Sequence, residues 1–437
     1  MDSALVREYL VDHGKKEFPH LVKRDLVLDK SSKIKAIIGP RRAGKTFFLF
    51  QTMRKLLDEG DGRDSILYLN FEDPRLSDLT YKEIRDVVEL HWQLYPSSIK
   101  KKMHLFIDEP QNVDSWEKAV RGLYDDGMDI YITGSSSKLL SKEIATSIRG
   151  RSLSYILLPL SFVEFLKIKN RTFDPERLGS KDKAFLLSLL DEYLEYGGFP
   201  EVAIEENVEV KLKILEDYVT LTTYKDLVER FKIKNTHAVK WLMKSAAQSF
   251  SREFSIHKTF NTMKSRGMSV SKNTLYSYVS MLEDSFYLFT LPKKETSERK
   301  RDFSINKVYL CDMGYAKILG AGQDTGYRME NAVFLQFLRN KKTLTQISYW
   351  KNSQQEEVDY VLTEEGKTTR LIQVCCDAQR EETIEREEKA LLKASYELGC
   401  NTLEIITWDT EKNETRQYNN TKKSIRYVPL WKWLLRT

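Results

Sequence analysis

One eight-residue segment near the N-terminus constrains the fold of this chain more than any other. Residues 39–46 read GPRRAGKT and fit the pattern G-x-x-x-x-G-K-[ST]. They follow the apolar run Ile34–Ile38 and precede a helical pattern over Phe47–Leu57, which is the strand, loop and helix order that this motif requires. Its glycines allow the backbone to turn several N–H groups toward phosphate oxygens. The segment therefore predicts an α/β domain with a phosphate-binding loop.

Two side chains of this loop carry specific chemistry. Lys45 supplies a point charge for the β- and γ-phosphates of ATP, and the hydroxyl of Thr46 can ligate Mg²⁺. Arg41 and Arg42 have two open roles, since they either hold the loop or meet another domain. The predicted cofactor-binding set is Gly39, Pro40, Arg41, Arg42, Ala43, Gly44, Lys45, Thr46 and Phe47.

A second apolar strand, His104–Ile107, ends in two adjacent acids. Asp108 is predicted to hold Mg²⁺ through its water shell, and Glu109 to polarise the attacking water. A strand that merely ends in a solvated acidic turn is the alternative. The further strand Ile66–Phe71, which lies between the two motifs, favours the class of P-loop ATPases with an added strand and a catalytic glutamate.

Polar residues also follow a third strand, Asp129–Thr133. Thr133 and Ser135 are candidates to sense the γ-phosphate and orient the water, although a plain Gly/Ser loop is the alternative. Arg149 and Arg151 precede the next strand, and an arginine there could stabilise transition-state charge in a neighbouring subunit. A solvated loop or an intramolecular salt bridge is the competing interpretation, and a role in a neighbour would require at least a dimer.

Composition limits the class of protein. Of the 437 residues, 41% are hydrophobic, which is enough for real cores, and no apolar run approaches the roughly 18 to 20 residues that span a bilayer. The N-terminal residues lack a signal pattern, so we expect a cytoplasmic protein without membrane contact. Residues 1–30 are expected to form a helix and a short strand, Asp25–Asp29. The following alternation of short apolar runs and helical patterns predicts a parallel sheet.

Positive charge is concentrated in the middle of the chain. Residues 232–272 contain nine Lys or Arg and one acid, a balance of 9 − 1 = +8, whereas the whole chain carries +6. Two helical patterns separated by Gly267, followed by the strand-like run Phe286–Leu291, suggest a winged helix. Residues 252–290 are therefore a candidate duplex-DNA contact, and a winged helix that binds only protein is the alternative. The DNA contacts would be made by Lys264, Arg266, Lys272, Asn273 and Thr274.

The motifs together resemble a known family, the prokaryotic AAA+-like P-loop ATPases that carry a C-terminal domain of the PD-(D/E)XK nuclease fold. The N-terminal resemblance lies in GPRRAGKT, LFIDEPQNVDSW, ITGSSSKLLSKEIATSIRGRS, PLSFVEF and YGGFP, and the C-terminal one in MENAVFLQFLRN, EEVDYVL and LIQVCCD. The resemblance implies ATP and Mg²⁺ as cofactors, and ATP hydrolysis. The domains predicted for this chain are an ATPase core at 1–165, a helical lid at 166–230, a winged-helix-like domain at 231–292 and a restriction-endonuclease-like α/β domain at 293–437.

The same resemblance implies that the C-terminal domain has lost its chemistry. Asp359 fits the first acid of the nuclease signature, and Glu330 fits an acid on the preceding helix. Gln373-Val374-Cys375 stands where Glu-x-Lys is expected, so one carboxylate and the ammonium are missing. We therefore expect a degenerate, non-cleaving domain, in which Asp359 and Glu330 are structural or bind a metal weakly.

Two functions follow from these features. The favoured one is an ATPase that uses ATP and Mg²⁺ to drive or switch a state bound to DNA or protein. The alternative is a DNA-binding regulatory or interaction protein that binds ATP with little turnover. The partners expected are ATP and duplex DNA, with a protein partner and a homo-oligomer left open.

Overall fold

The computed structural model describes residues 1–135, 148, 150–295, 297–378 and 380–436. It divides into two compact units. The first comprises Met1–Pro159 with Asp284–Phe286, and the second comprises Leu160–Glu283 with Tyr287–Thr437. Each of the described helices is too short or too polar to cross a lipid bilayer.

The first unit is built on a five-stranded parallel sheet. Its strands are β1 (Ile34–Ile38), β2 (Ile66–Asn70), β3 (His104–Asp108), β4 (Asp129–Gly134) and β5 (Ser152–Ile156). They lie in the order β2-β3-β4-β1-β5, so that β1 has β4 and β5 as neighbours. Because every pair is parallel, the carboxyl ends of all five strands meet at one edge of the sheet.

Four helices accompany this sheet within the described residues: α1 (Ser3–Lys15), α2 (Lys45–Asp58), α3 (Glu83–Leu94) and α4 (Trp116–Asp125). The strands β1, β3 and β4 are buried on both faces, as their nearly unbroken apolar sequences predict. One apolar cluster packs α1, α3 and α4 against the sheet, and a second packs α2 against the other face. The two layers fix the start of α2 at the carboxyl end of β1.

The first half of the second unit is mainly helical. Its helices are α5 (Phe162–Ile168), α6 (Ser180–Tyr196), α7 (Pro200–Ile204), α8 (Val208–Leu221), which continues as a π-helix over Thr222–Glu229, α9 (Thr236–Gln248), α10 (Ile256–Ser265) and α11 (Lys272–Asp284). The strands β6 (Arg252–Glu253), β7 (Leu288–Leu291) and β8 (Lys307–Leu310) form an antiparallel sheet in the order β6-β8-β7. Between β7 and β8 lies α12 (Glu298–Phe303).

The second half of this unit contains a six-stranded mixed sheet. Its strands are β9 (Thr345–Lys351), β10 (Glu357–Glu364), β11 (Lys367–Cys375), β12 (Leu403–Thr407), β13 (Lys412–Tyr418) and β14 (Thr421–Pro429). Their order is β13-β14-β12-β11-β10-β9. The helices of this half are α13 (Met313–Ile318), α14 (Thr325–Arg339), α15 (Glu381–Leu398) and α16 (Leu430–Arg436). The succession α14, β9, β10, β11, α15, β12 runs helix, three strands, helix, strand.

The α/β fold class expected from the sequence is confirmed, with a parallel sheet in the first unit and a mixed sheet near the C-terminus. The short strand expected at Asp25–Asp29 is wrong, because these residues are not part of the sheet. The side-chain amide of Gln51 on α2 bonds both the N–H and the carbonyl of Arg24, at 2.8 and 3.1 Å. The backbone at the start of this segment is thus satisfied by a helix side chain instead of a neighbouring strand.

Candidate functional site

The phosphate-binding loop lies between β1 and α2, where glycines permit its tight path. A Cβ atom added at Gly39 would lie 2.0 Å from the carbonyl oxygen of Leu157, so no larger residue fits beside the end of β5. Gly44 precedes the first residue of α2 with a φ of +92°, a conformation that side chains disfavour. The loop therefore delivers the N-terminus of α2, with its unpaired N–H groups and partial positive charge, to the carboxyl edge of the sheet.

Lys45, the first residue of α2, directs its ammonium group into this loop. Its Nζ atom donates to the carbonyls of Gly39 and Pro40 at 3.2 and 3.0 Å, and lies 3.9 Å from a carboxylate oxygen of Glu109. The side chain is only 5% exposed. The ammonium thus lies inside the phosphate-binding loop, where its N–H donors can meet an anionic ligand.

Asp108, at the end of β3, is the centre of a hydrogen-bond network. Its Oδ2 atom accepts from the hydroxyls of Thr46, at 2.6 Å, and Tyr68, at 3.0 Å, and its Oδ1 atom accepts from the Thr133 hydroxyl. Burial, and then the charge of Glu109, raise the pKa of Asp108, while these three hydrogen bonds oppose that change. A divalent cation would favour the ionised carboxylate, and the oxygens of Asp108 and Thr46 are of the kind that Mg²⁺ prefers, so the two residues fit a magnesium site.

Glu109 follows in the left-handed conformation, with a φ of +50°. Its backbone N–H donates to the Thr133 hydroxyl at 3.1 Å, and its carboxylate accepts from the side-chain amide of Gln111. Such a backbone conformation is uncommon for a residue other than glycine and recurs at functional sites. The turn places the Glu109 carboxylate beside Lys45, on the side of the sheet edge where the phosphate-binding loop lies.

The structure thus brings together Lys45, Thr46, Asp108, Glu109 and Thr133 at the carboxyl ends of three adjacent strands. Ser135 is buried directly after β4, at the same edge.

Three further residues of the predicted cofactor-binding set are Phe47, Arg41 and Arg42. Phe47 is half-exposed on α2, its ring at the edge of the Phe50 ring, and Arg41 lies 3.6 Å from Glu72. Arg42 is in the left-handed conformation, with a φ of +67°.

Two arginines before β5 were also candidates for this site. Arg149 lies outside the described residues. Arg151 precedes β5, at the amino edge of the sheet, and its guanidinium lies 3.2 Å from a carboxylate oxygen of Asp125. This is the intramolecular salt bridge that the sequence left open. A catalytic role of Arg151 would therefore belong to the site of a neighbouring copy.

Sequence reasoning missed three residues that shape the site. Arg24 is buried and donates to the carbonyls of Ala43 and Leu158 at 2.7 and 2.6 Å, which ties the phosphate-binding loop to the segment after β5. Tyr68 and Gln111 hold Asp108 and Glu109. Gln111 stands two residues after Glu109, which was a local signal, but nothing near Arg24 or Tyr68 in the sequence indicates the contact.

The basic segment, residues 232–272, presents all nine of its Lys and Arg side chains to solvent. Its one acid, Glu253, pairs at 2.9 Å with Lys351 outside the segment, so it does not neutralise these cations. Lys272 begins α11, and Lys264 and Arg266 lie at the end of α10. Along the chain, α9, β6, α10, α11, β7 and β8 run helix, strand, helix, helix, strand, strand, with α12 between β7 and β8.

The chain is similar to several known sequences and structures. The sequence pattern of an AAA domain matches residues 31–166, and that of a domain of unknown function matches residues 187–325. An uncharacterized protein of Methanocaldococcus jannaschii, MJ1544, is 38% identical over 92% of this chain and 88% of its own length. An uncharacterized protein of Haemophilus influenzae is 34% identical over 70% of this chain and 74% of its own length. A solved structure, the Walker-type ATPase PABY2304 of Pyrococcus abyssi, is 13% identical over 70% of this chain and 99% of that chain, with a TM-score of 0.44.

Proposed function

This chain carries a P-loop ATPase domain and belongs to one family with the uncharacterized proteins of Methanocaldococcus jannaschii and Haemophilus influenzae. From that premise we propose that it hydrolyses ATP with Mg²⁺. The observation that carries the proposal is a continuous set of contacts at the sheet edge. Thr46 contacts Asp108, Asp108 contacts Thr133, and Thr133 contacts the backbone of Glu109. One network therefore joins the residues suited to hold a metal to the residue suited to act as a base.

We infer a role for each group at this site. The N–H groups of the loop and the Lys45 ammonium bind the β- and γ-phosphates, and Thr46 and Asp108 hold Mg²⁺, which when bound neutralises phosphate charge. The Glu109 carboxylate orients the attacking water and accepts its proton. Thr133 fixes the position of Glu109 by accepting a hydrogen bond from its backbone N–H. Ser135, buried directly after β4, is our candidate for a contact with the γ-phosphate.

A Glu109→Gln variant tests this assignment. The amide keeps the size of the side chain but cannot accept a proton, so steady-state turnover should fall about 100-fold or more while ATP binding persists. A Glu117→Gln variant, changed on α4 away from the site, is the control and should retain turnover. Hydrolysis by Glu109→Gln at the parental rate would remove Glu109 from the mechanism.

We also propose that the basic segment binds the phosphate backbone of duplex DNA. Nine exposed cations within 41 residues form a strong positive surface, and the neighbouring acid is paired elsewhere. In a winged helix the second of two adjacent helices reads the groove, and here α11 begins with Lys272, Asn273 and Thr274. This supports the winged-helix assignment for residues 231–292 and the DNA contact within 252–290.

A salt titration tests DNA binding. Reversing Lys264, Arg266 and Lys272 to Glu should weaken binding to a duplex at low salt and flatten the dependence of affinity on salt, since fewer counterions are released. A control variant reverses Lys341, Lys342 and Lys367, three exposed lysines outside the segment, and so changes net charge equally. Equal loss in both variants, or binding that does not depend on salt, would exclude a specific role of the segment.

The ATPase and DNA proposals together describe a protein whose affinity for DNA depends on the nucleotide that it binds. Its parts would be the ATPase core at 1–165, a helical lid at 166–230, the winged helix and a C-terminal domain at 293–437. Steady-state hydrolysis measured with and without duplex DNA separates this function from that of a DNA-binding regulator with little turnover. If the protein is a DNA-coupled ATPase, duplex DNA changes the rate of ATP hydrolysis. If it is a DNA-binding regulator, ATP binds tightly and hydrolysis is negligible with and without DNA.

A further inference from the structure

A lysine is buried among the carboxylates of the C-terminal domain. Lys307 lies at the start of β8, and its side chain is 2% exposed. Its Nζ atom is 2.6 Å from Glu357, 2.9 Å from Asp359 and 3.0 Å from Glu330. Because an ammonium has three N–H donors, each can be directed at a different carboxylate.

Each carboxylate of this group, which we call the lysine cluster (Lys307, Glu330, Glu357 and Asp359), has a second anchor. Glu330 accepts from the Tyr309 hydroxyl at 2.6 Å, and Asp359 accepts from the backbone N–H of Val374 at 2.9 Å. The second oxygen of Glu357 lies 3.3 Å from Lys351. The oxygens facing Lys307 are therefore held in place from outside the cluster.

The charge of the ammonium is firmly held. Burial alone would lower the pKa of Lys307, but Asp359, Glu330 and Glu357 raise it well above its usual value. Glu330 and Asp359 are almost wholly buried, so without a cation two or more adjacent carboxylates would lack both water and a counter-charge. The Lys307 ammonium supplies a counter-charge for these carboxylates.

Three carboxylate oxygens from two different elements are directed at one point, and carboxylate oxygens are the ligands that hard divalent cations prefer. Ligand distances for Ca²⁺ are about 2.3 to 2.6 Å, so the carboxylates would have to close in by only a few tenths of an ångström. Removing the lysine side chain would also free space for water ligands. In the described residues, no group of three or more His, Cys, Asp or Glu is arranged to hold a metal ion.

We propose that the Lys307 ammonium is the resident cation of this cluster and occupies the position at which a divalent ion would bind. The native domain then takes up no metal there, and loss of the ammonium creates a divalent-cation site. Because β8 belongs to the sheet β6-β8-β7 while Glu357 and Asp359 lie on β10, the same lysine also links that sheet to the six-stranded one. This proposal is independent of ATP hydrolysis.

Mn²⁺ binding to the full chain tests the proposal. All proteins carry Asp108→Asn and contain no nucleotide, so that the phosphate-binding loop does not contribute a metal site. Electron paramagnetic resonance of free Mn²⁺ should show no saturable binding to this parent, and saturable binding of one ion per chain to a Lys307→Ala variant. Mn²⁺ should raise the melting temperature of Lys307→Ala by about 5 °C or more and leave the parent unchanged.

Two controls make the result specific. Adding Asp359→Asn to Lys307→Ala should abolish the gained site, and Lys317→Ala, which removes a lysine of α13 outside the cluster, should gain none. Saturable Mn²⁺ binding by the parent that Asp359→Asn removes would overturn the proposal. So would a folded Lys307→Ala variant without Mn²⁺ binding, or a variant that fails to fold both with and without Mn²⁺. A variant that folds only with Mn²⁺ would support it.

Discussion

At the scale of single residues, Lys45 is the clearest test of the nucleotide site. Its ammonium is buried beside the carbonyls of Gly39 and Pro40, where its energetic value comes from an anionic ligand. A Lys45→Ala variant should lose ATP affinity by roughly 100-fold, because charge-assisted hydrogen bonds to two phosphates disappear. Titration with a fluorescent ATP analogue measures this. Lys55→Ala, an exposed lysine on the same helix, is the control, and normal affinity in a folded Lys45→Ala variant would refute the site.

A second residue, Asp312, should make stability depend on pH. It is buried and accepts from the backbone N–H groups of Gly198 and Gly314 at 2.7 and 2.8 Å, yet burial raises its pKa to about 7. A carboxyl whose pKa is higher in the folded than in the unfolded protein stabilises the fold below its folded pKa, and this contribution decreases as the pH rises toward it. Between pH 5 and 8, stability should therefore fall.

An Asp312→Asn variant isolates this effect. It should be less stable than the parent, by about 1 to 3 kcal/mol at pH 5, because its amide cannot accept from both N–H groups. The difference should narrow toward pH 8, where the parent carries a buried charge and the variant does not. Thermal unfolding of both proteins at several pH values measures the difference. A gap that stays constant across this range would show that Asp312 does not titrate there.

At the scale of elements, the turn after α6 depends on two glycines. Gly197 has a φ of +84°, and an added Cβ would lie 1.7 Å from a carboxylate oxygen of Asp312, while one at Gly198 would lie 2.4 Å from the carbonyl of Leu160. Leu160 in turn donates its N–H to the Gly198 carbonyl at 2.7 Å. This contact explains why the segments YGGFP and PLSFVEF occur together, since each provides part of one backbone junction.

Replacing Gly197 by Ala should therefore be severe. We expect a loss of more than about 3 kcal/mol of unfolding free energy, from backbone strain and from displacement of Asp312. Gly267→Ala is a matched control, because Gly267 also has a positive φ, of +74°, but nothing lies within 4 Å of its added Cβ. It should cost only about 1 to 2 kcal/mol. Denaturant unfolding compares the two, and similar losses would contradict the steric argument.

Elements with a strong local signal were predictable from the sequence. The strands β1, β3 and β4 follow from short apolar runs, and the residues at their carboxyl ends, including Asp108 and Thr133, follow from the rule that parallel strands end at one edge. Contacts between distant segments were not. The backbone of Arg24 bonds a helix side chain, so its segment joins no sheet, and Lys307 reaches acids 23 to 52 residues away. Such contacts depend on packing, which has no local pattern.

At the scale of the whole molecule, the candidate catalytic groups and the two groups of lysines lie in different units. The first unit contains the nucleotide site, while the basic segment and the lysine cluster lie in the second. The basic segment keeps its cations exposed, whereas the lysine cluster buries its cation completely. An exposed cation is available to a polyanion, and a buried one serves its own carboxylates. Contact with DNA and cleavage of DNA would thus depend on different residues of this chain.

The last prediction is that the protein does not cut DNA. Hydrolysis of a phosphodiester requires a metal ion that polarises the phosphate and activates water, and in our proposal Lys307 fills the carboxylate cluster where such an ion would bind. Gln373 is neutral, and its amide is engaged by the N–H of Asp359 at 3.2 Å and the carboxylate of Glu387 at 2.5 Å. Burial raises the pKa of Cys375 to about 12, so it remains an uncharged thiol and cannot replace an ammonium.

Plasmid DNA incubated with the purified chain, ATP and either Mg²⁺ or Mn²⁺ should therefore remain supercoiled on an agarose gel. The Asp359→Ala variant, prepared in the same way, reveals whether any cleavage comes from a contaminating nuclease, because it should then cut equally. Cleavage by the parent that disappears in Asp359→Ala would show an active site. Glu357, which the lysine cluster places beside Asp359 and Lys307, would then be the first residue to test as the replacement ligand, since it could supply the carboxylate that Gln373 lacks.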